Sequence, residues 1–177
     1  MTAIDDSNNF VVFTDGSCIG KADGRIAGIG VHMAVVGTDD WADVSRLLNE
    51  DERPCTNVRA EMAAVGEAVR MAMQAAGNQP FRLHIYTDSK LTIGHLDYNW
   101  KVNVNADLVY ATRAIFSKAR RNGSIITFEH VKGHGRRPVG DELAVFRWEG
   151  NKVADLLATA ATNAERDRGS NGDQVVP

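Results

Sequence analysis

Two short apolar runs, Phe10–Thr14 (FVVFT) and Leu83–Thr87 (LHIYT), each stop at an aspartate followed by a small residue, Asp15-Gly16 and Asp88-Ser89. Runs of this length, rich in β-branched and aromatic residues and closed by a turn signal, read as buried strands. Between them the pattern changes period. Ala27–Val36 and the stretch around Trp41–Leu48 read as two more strands, so antiparallel hairpins follow the first strand. After Pro54, Thr56 and Asn57 are suited to cap a helix over about Val58–Ala76. That helix carries Ala64, Val65, Ala68, Val69 and Ala72 at helical spacing and ends at Gly77-Asn78.

Beyond Asp88 a short helix reaches about Leu96 and a longer one spans Ala106–Ala119. A fifth strand covers Ile125–Val131, a long loop Lys132–Gly150, and a last helix, capped by Asn151, Asn151–Asn163. The expected class is α/β: a five-stranded mixed sheet, its first three strands antiparallel, flanked by helices in the order β-β-β-α-β-α-α-β-α. Residues 1–9 read as a disordered N-terminus, 10–163 as one catalytic domain and 164–177 as a flexible tail.

The chain of 177 residues suffices for one core, and its net charge of −3 excludes a strongly basic nucleic-acid coat. It leaves room for a local phosphate-binding patch. Two cysteines, Cys18 and Cys55, cannot build a disulfide scaffold or a paired zinc site and suit a reducing compartment. The first ten residues do not resemble a leader, and no apolar run approaches a membrane span. A cytoplasmic monomer without membrane attachment is the expectation.

Four carboxylates, Asp15, Glu61, Asp88 and Asp155, stand at the ends of these elements. Each has an ordinary explanation alone: Asp15 as a turn residue before glycine, Asp88 as a helix cap, Glu61 and Asp155 as first-turn acids favoured by the helix dipole. Gathered at one point they would repel each other, and a fold keeps such a cluster when a cation neutralises it. Hard oxygen ligands suit Mg²⁺ or Mn²⁺, and such ions in pairs serve phosphoryl transfer. His134, between Gly133 and Gly135 and beside Lys132, Arg136 and Arg137, fits a proton shuttle near phosphate. The other histidines, 32, 84, 95 and 130, are assigned to structure.

The strings FTDGSC, TNVRAE, YTDSK, HVKGHG and GNKVADLLA, in this order and at this spacing, resemble those of type 1 ribonucleases H over about residues 10–163. The resemblance implies the ribonuclease H-like fold. It also implies an endonuclease that hydrolyses the RNA strand of an RNA/DNA hybrid to 5′-phosphate and 3′-hydroxyl ends. By it, Asp15, Glu61, Asp88 and Asp155 hold two Mg²⁺ ions, with Mn²⁺ as a possible substitute, and His134 relays a proton or assists product release. Gly16, Ser17, Cys18 and Asn57 would read RNA 2′-hydroxyls. Thr56 and Asn105 would grip a DNA-strand phosphate, while Trp100 and Lys101 face the DNA strand. For Trp100, core packing is an equal alternative. Ser89 and Asn151 would be neighbours of the minor groove or of the carboxylates.

The chain departs from the family pattern at several places. Val58 replaces an amide, Lys21 an asparagine, and the Lys-rich protrusion of some members is missing. The long 135–150 stretch carries Phe146 and Trp148 instead, available to pack or to contact substrate. These departures predict modest hybrid affinity. A catalytically weak hybrid-binding module and a detached reverse-transcriptase-type domain are the competing readings. The first is opposed by the presence of all four carboxylates.

Overall fold

The computed structural model describes residues 4–21, 24–77 and 79–172. Five strands, β1 (Asn9–Ile19), β2 (Ile26–Val35), β3 (Trp41–Leu47), β4 (Arg82–Thr87) and β5 (Ile125–His130), lie in the order β3-β2-β1-β4-β5. The first three pair antiparallel, while β4 and β5 join parallel to β1 and to β4. Four helices, α1 (Asn57–Ala75), α2 (Lys90–Leu96), α3 (Ala106–Arg121) and α4 (Glu142–Gly172), complete the predicted order. No helix among the described residues is long and apolar enough to cross a membrane.

Strand alternation divides the core. Phe10 and Val12 of β1, with Leu83 and Ile85 of β4, bury against Ala64, Val65 and Ala68 of α1 and Val109 and Phe116 of α3. The opposite face sends Phe13 and Tyr86, stacked at 4.7 Å, against Ala154 of α4, with Phe146 edge-on to Phe13. Each large side chain removed from water in this way contributes roughly 1.5–3 kcal/mol. α1 begins where the sequence predicts, its Thr56 side chain accepting from Arg59 N.

Four boundaries differ from the sequence expectation. β1 does not stop at Asp15-Gly16: Gly16–Ile19 continue to pair with Ile29–Ile26 of β2. α4 starts at Glu142, inside the stretch expected to be a loop, so Phe146 and Trp148 are helical residues and Asn151 is buried in mid-helix instead of capping it. The same helix runs past Asn163 to Gly172, through most of the expected tail; residues 173–177 lie outside the described residues. At the other end Asp6–Asn8 forms a 3-10 turn and Asn9 pairs with Arg82, although 1–9 was expected to be disordered; residues 1–3 lie outside the described residues, as does Asn78 at the predicted end of α1.

Arg59, in the first turn of α1, is fully buried yet charged. Its Nε donates to Glu52 O at 2.7 Å, and its Nη atoms donate bidentately to Asp107 at 2.9 and 2.6 Å, tying α3 to α1. The guanidinium holds the Asp107 carboxyl down at about 2. The depressed value means that the pair stabilises the fold above the unfolded-state value of 3.8 and fades as pH falls toward 2. Asp107→Ala leaves a buried guanidinium half-paired. Because Asp107 is itself largely exposed, water recovers part of the cost, and a loss of about 1–2 kcal/mol is expected. Urea unfolding at pH 7 and pH 2.5 checks this, since the difference from wild type should shrink at the lower pH.

Candidate active site

Parallel pairing of β1 with β4 matches Thr14 to Thr87, so the next residues, Asp15 and Asp88, emerge side by side at the same end of neighbouring strands. β4 then leaves the sheet for α2, opening a gap beyond its last pair, the position where α/β sheets place their sites. The third carboxylate comes from α1. A Cβ on Gly16 would lie 2.8 Å from Ala60 Cβ and 2.7 Å from Ala60 C, so only glycine lets the helix come down on the strand. That approach carries Glu61, in the second helical turn, over the strand ends. Oxygen atoms of Asp15, Glu61 and Asp88 then lie within 4.8 Å of one another, all three residues half-buried.

Such proximity is costly without a cation. Burial pushes the Asp15 carboxyl up to about 7, reinforced by Asp88 and opposed by the Gly16 N–H at 2.8 Å. Burial also raises Glu61, against hydrogen bonds from Ser89 and from Asn57 Nδ2, which donates to Oε1 at 2.9 Å. Asp88 is raised by burial as well, with His134 and His130 acting in the opposite direction. Glu61 Oε2 is buried and has no hydrogen-bond partner. A buried carboxylate oxygen left unpaired beside two further carboxylates is what a hard divalent cation would satisfy, so the donor set fits the expected metal.

Asp155 stands beside this group but outside it. It lies beyond the third turn of α4, so the helix dipole does not explain it, and its Oδ2 is held by Lys152 Nζ at 2.6 Å. Its charge still raises Asp15 and Asp88. His134 is exposed on the loop after β5. This loop passes directly over Asp88: a Cβ on Gly133 would collide with Asp88 Oδ2. Asn151 fastens the loop from α4, its Nδ2 donating to Gly133 O at 3.3 Å. Two contributors were not recognised from the sequence. His130, assigned there to a strand, turns its Nε2 to Asp88 O at 3.1 Å, and Arg59 reaches Asn105 Oδ1 at 3.5 Å. The TNVRAE string contained the signal for Arg59, but a charged side chain in a first helical turn gives no hint of burial.

The remaining candidates fall on two flanks. Cys18, Thr56 and Asn57 lie where β1 meets the start of α1, Cys18 Sγ being 3.8 Å from Cys55 O, whereas the Ser17 side chain is turned to α4, its Oγ 3.4 Å from Thr162 Oγ1. Ser89 caps α2 through Thr92 N. On the α2–α3 side, Trp100 is about half exposed and lies over Gly94, so one face packs and the rest is open. Lys101 is exposed next to it, and Asn105 precedes α3 in the left-handed region at φ 55°. Phe146 is taken up by the aromatic core, and Trp148 donates its indole N–H to Gly135 O at 3.1 Å.

The family model for RNase H matches residues 7–163. The chain belongs to the RNase H family. Among its relatives, ribonuclease H1 of Mus musculus is 28% identical over 166 residues, covering 89% of this chain and 51% of the mouse protein. The chain thus spans about half the length of that relative. Ribonuclease H of Francisella philomiragia subsp. philomiragia is 26% identical over 167 residues, covering 87% of this chain and 91% of that one. In fold, this chain superposes on LC11-RNase H1, isolated from compost, with a TM-score of 0.65 at 21% identity, covering 89% and 98% of the two chains. LC11-RNase H1 has also been solved in complex with an RNA/DNA hybrid, and that structure superposes with a TM-score of 0.63 at 19% identity, covering 88% and 98%.

Proposed function

We propose that the chain hydrolyses the RNA strand of RNA/DNA hybrids, leaving 5′-phosphate and 3′-hydroxyl ends, with Asp15, Glu61, Asp88 and Asp155 as ligands of two Mg²⁺ ions that Mn²⁺ can replace. The observation that carries this reading is the half-buried trio of carboxylates within 4.8 Å, one of its oxygens unpartnered, in an RNase H chain. When bound, paired cations favour deprotonation of the attacking water and offset charge at the attacking and leaving oxygens.

The chain's own residues do the rest. Asn57 holds Glu61 through Oε1, and the Gly16 N–H holds Asp15, so the carboxylates wait in place. His134, exposed beside Asp88, takes up or delivers a proton at a ring nitrogen as the strand is cut. Gly16, Ser17, Cys18 and Asn57 meet the RNA strand at its 2′-hydroxyls. Thr56 and Asn105 hold a DNA-strand phosphate; the Thr56 hydroxyl is oriented by the backbone N–H of Arg59 that it caps, and the Asn105 Oδ1 accepts from the buried Arg59 guanidinium. Trp100 offers a half-open aromatic face and Lys101 a charge to the DNA strand. Asn151 keeps the His134 loop over the site. The unit at work is residues 10–163, acting as a cytoplasmic monomer.

The test presents one labelled strand as RNA/DNA hybrid, RNA duplex, DNA duplex or single-stranded RNA, each with Mg²⁺, Mn²⁺ or chelator. Metal-dependent cutting of only the hybrid's RNA strand is expected. Cutting of RNA duplex as well would mean that Val58 and Lys21 relax the reading of the DNA strand. Hybrid bound but uncut with either ion would sink the proposal in favour of a binding module.

A further inference from the structure

Lys152 stands three residues before Asp155, which sets both side chains on one face of α4, and its Nζ lies 2.6 Å from Asp155 Oδ2. Pairs of this spacing are common on helices and add little stability. Two features set this one apart. The lysine precedes the acid, the less favourable of the two orders on a helix, so helix stability does not account for it. The acid, moreover, belongs to the group at the strand ends: Asp155 is near enough for its charge to bear on Asp15 and on Asp88.

The partners of the other three carboxylates are of a different kind. Asp15 accepts from the Gly16 N–H, Glu61 from Asn57 Nδ2, and Asp88 is attended by His134 and His130. Of all these partners only the lysine is a type of group that stays cationic wherever carboxylates ionise. The group is divided accordingly. A divalent cation held by Asp15, Glu61 and Asp88 displaces no ammonium, whereas one that also takes Asp155 must first break the bond to Lys152. The Lys152 side chain is 47% exposed, so once released it has water to turn into without any shift of the helix.

We propose that Lys152 is a built-in competitor for the cation at Asp155, so that the ion sharing this carboxylate binds last and more weakly than the other. The inference rests on the proposed ligand set and adds an order of loading to it. In the metal-free protein the ammonium offsets part of the repulsion among the four carboxylates. Beside a bound divalent cation it is repelled. One side chain therefore favours the metal-free fold and opposes loading, a pair of opposite effects that a helix bridge remote from the metal would not produce. Its removal should tighten the contested ion by about fivefold, the upper range for a partly exposed ion pair.

The experiment counts bound Mn²⁺ through the loss of the free-ion electron paramagnetic resonance signal, and follows thermal unfolding in chelator and in saturating Mg²⁺. Wild type is compared with Lys152→Gln, Lys152→Arg, Asp155→Asn and the Lys152→Gln/Asp155→Asn double variant. Two Mn²⁺ are expected in the wild type, with only the weaker one bound about fivefold more tightly in Lys152→Gln. Lys152→Arg keeps the charge and should keep the wild-type affinity. Asp155→Asn should lose the weaker ion, after which adding Lys152→Gln should change nothing. In chelator Lys152→Gln should melt below wild type, and in saturating Mg²⁺ the deficit should vanish or reverse. Two ions bound alike in wild type and Lys152→Gln would overturn the competition and leave the two-ion reading standing. A single ion of equal affinity in every protein would overturn that reading and the competition with it. An equal melting deficit with and without Mg²⁺ would reduce the pair to an ordinary helix bridge and overturn the proposal.

Discussion

Asp15→Asn should reduce hybrid cleavage by about a thousandfold or more, and the same substitution should make the metal-free protein more stable. The first effect follows from removing a carboxylate at the centre of the cluster. The second follows from the strain the cluster stores. The Asp15 carboxyl is raised from 3.8 to about 7 in the fold, chiefly by burial and then by Asp88. Between these values the native state holds a proton that the unfolded chain has released. Stability therefore declines as pH rises through that window, and the full penalty is present above it. At about 1.4 kcal/mol per pKa unit, the penalty is at most about 4 kcal/mol, which asparagine would not incur. A divalent cation removes the same penalty in the wild type. Thermal unfolding with chelator should thus show wild type losing stability from pH 5 to pH 8 and the variant holding steady, with Mg²⁺ raising the wild-type melting temperature more than the variant's. Equal melting temperatures at pH 8 in chelator would contradict the strained-cluster account.

Gly30→Ala should be among the most destabilising single substitutions in the chain. Gly30 pairs with Asp15 across β1 and β2, and α4 crosses directly above it. A Cβ there would collide with the Ala154 carbonyl oxygen and lie 2.7 Å from Ala158 N, both backbone atoms that cannot swing aside. One added methyl must lift the helix from the sheet and open the contact made by the fully buried Ala154 and Ala158. A loss of about 3 kcal/mol or more is expected, or roughly 10 °C in melting temperature. Because Asp155 follows Ala154, the fraction that still folds should also cleave more slowly. Gly24→Ala, where nothing lies within 4 Å, serves as the control and should leave both properties near wild type. Comparable losses in both variants would mean that backbone freedom, not the helix–sheet approach, sets the cost.

The two predictions share a physical origin: the carboxylates are brought together, and Asp155 to their margin, because helices are allowed unusually close to β1 and β2. The requirement for Gly16 under α1 and Gly30 under α4 is invisible in the sequence. Asp15-Gly16 reads locally as a turn, while Ala27–Val36 reads as a strand and forms β2. Strand pairing overrides the turn, since Ser17–Ile19 find partners in Gly28–Ile26, residues close in space through a hairpin. The N-terminal part of α4 escaped notice for a related reason. Glu142–Gly150 has only Gly150 fully buried, so its apolar residues show no clear helical stripe.

What the amino-acid sequence determined by itself is whatever depends on neighbours along the chain. Strand and helix periods, the Thr56 cap, the order of elements and the placing of Asp15 and Asp88 after the apolar runs of β1 and β4 all belong to that class. Depth and partnership were decided only by the tertiary structure. It buried Arg59 against Asp107, set Asn151 inside α4 to hold the His134 loop, brought His130 to Asp88 and left Asp155 with Lys152 at the margin of the trio. Hydrogen bonds, desolvation and charge repulsion all depend on distance through space. Local pattern states which groups are available for them, and packing alone states which groups meet.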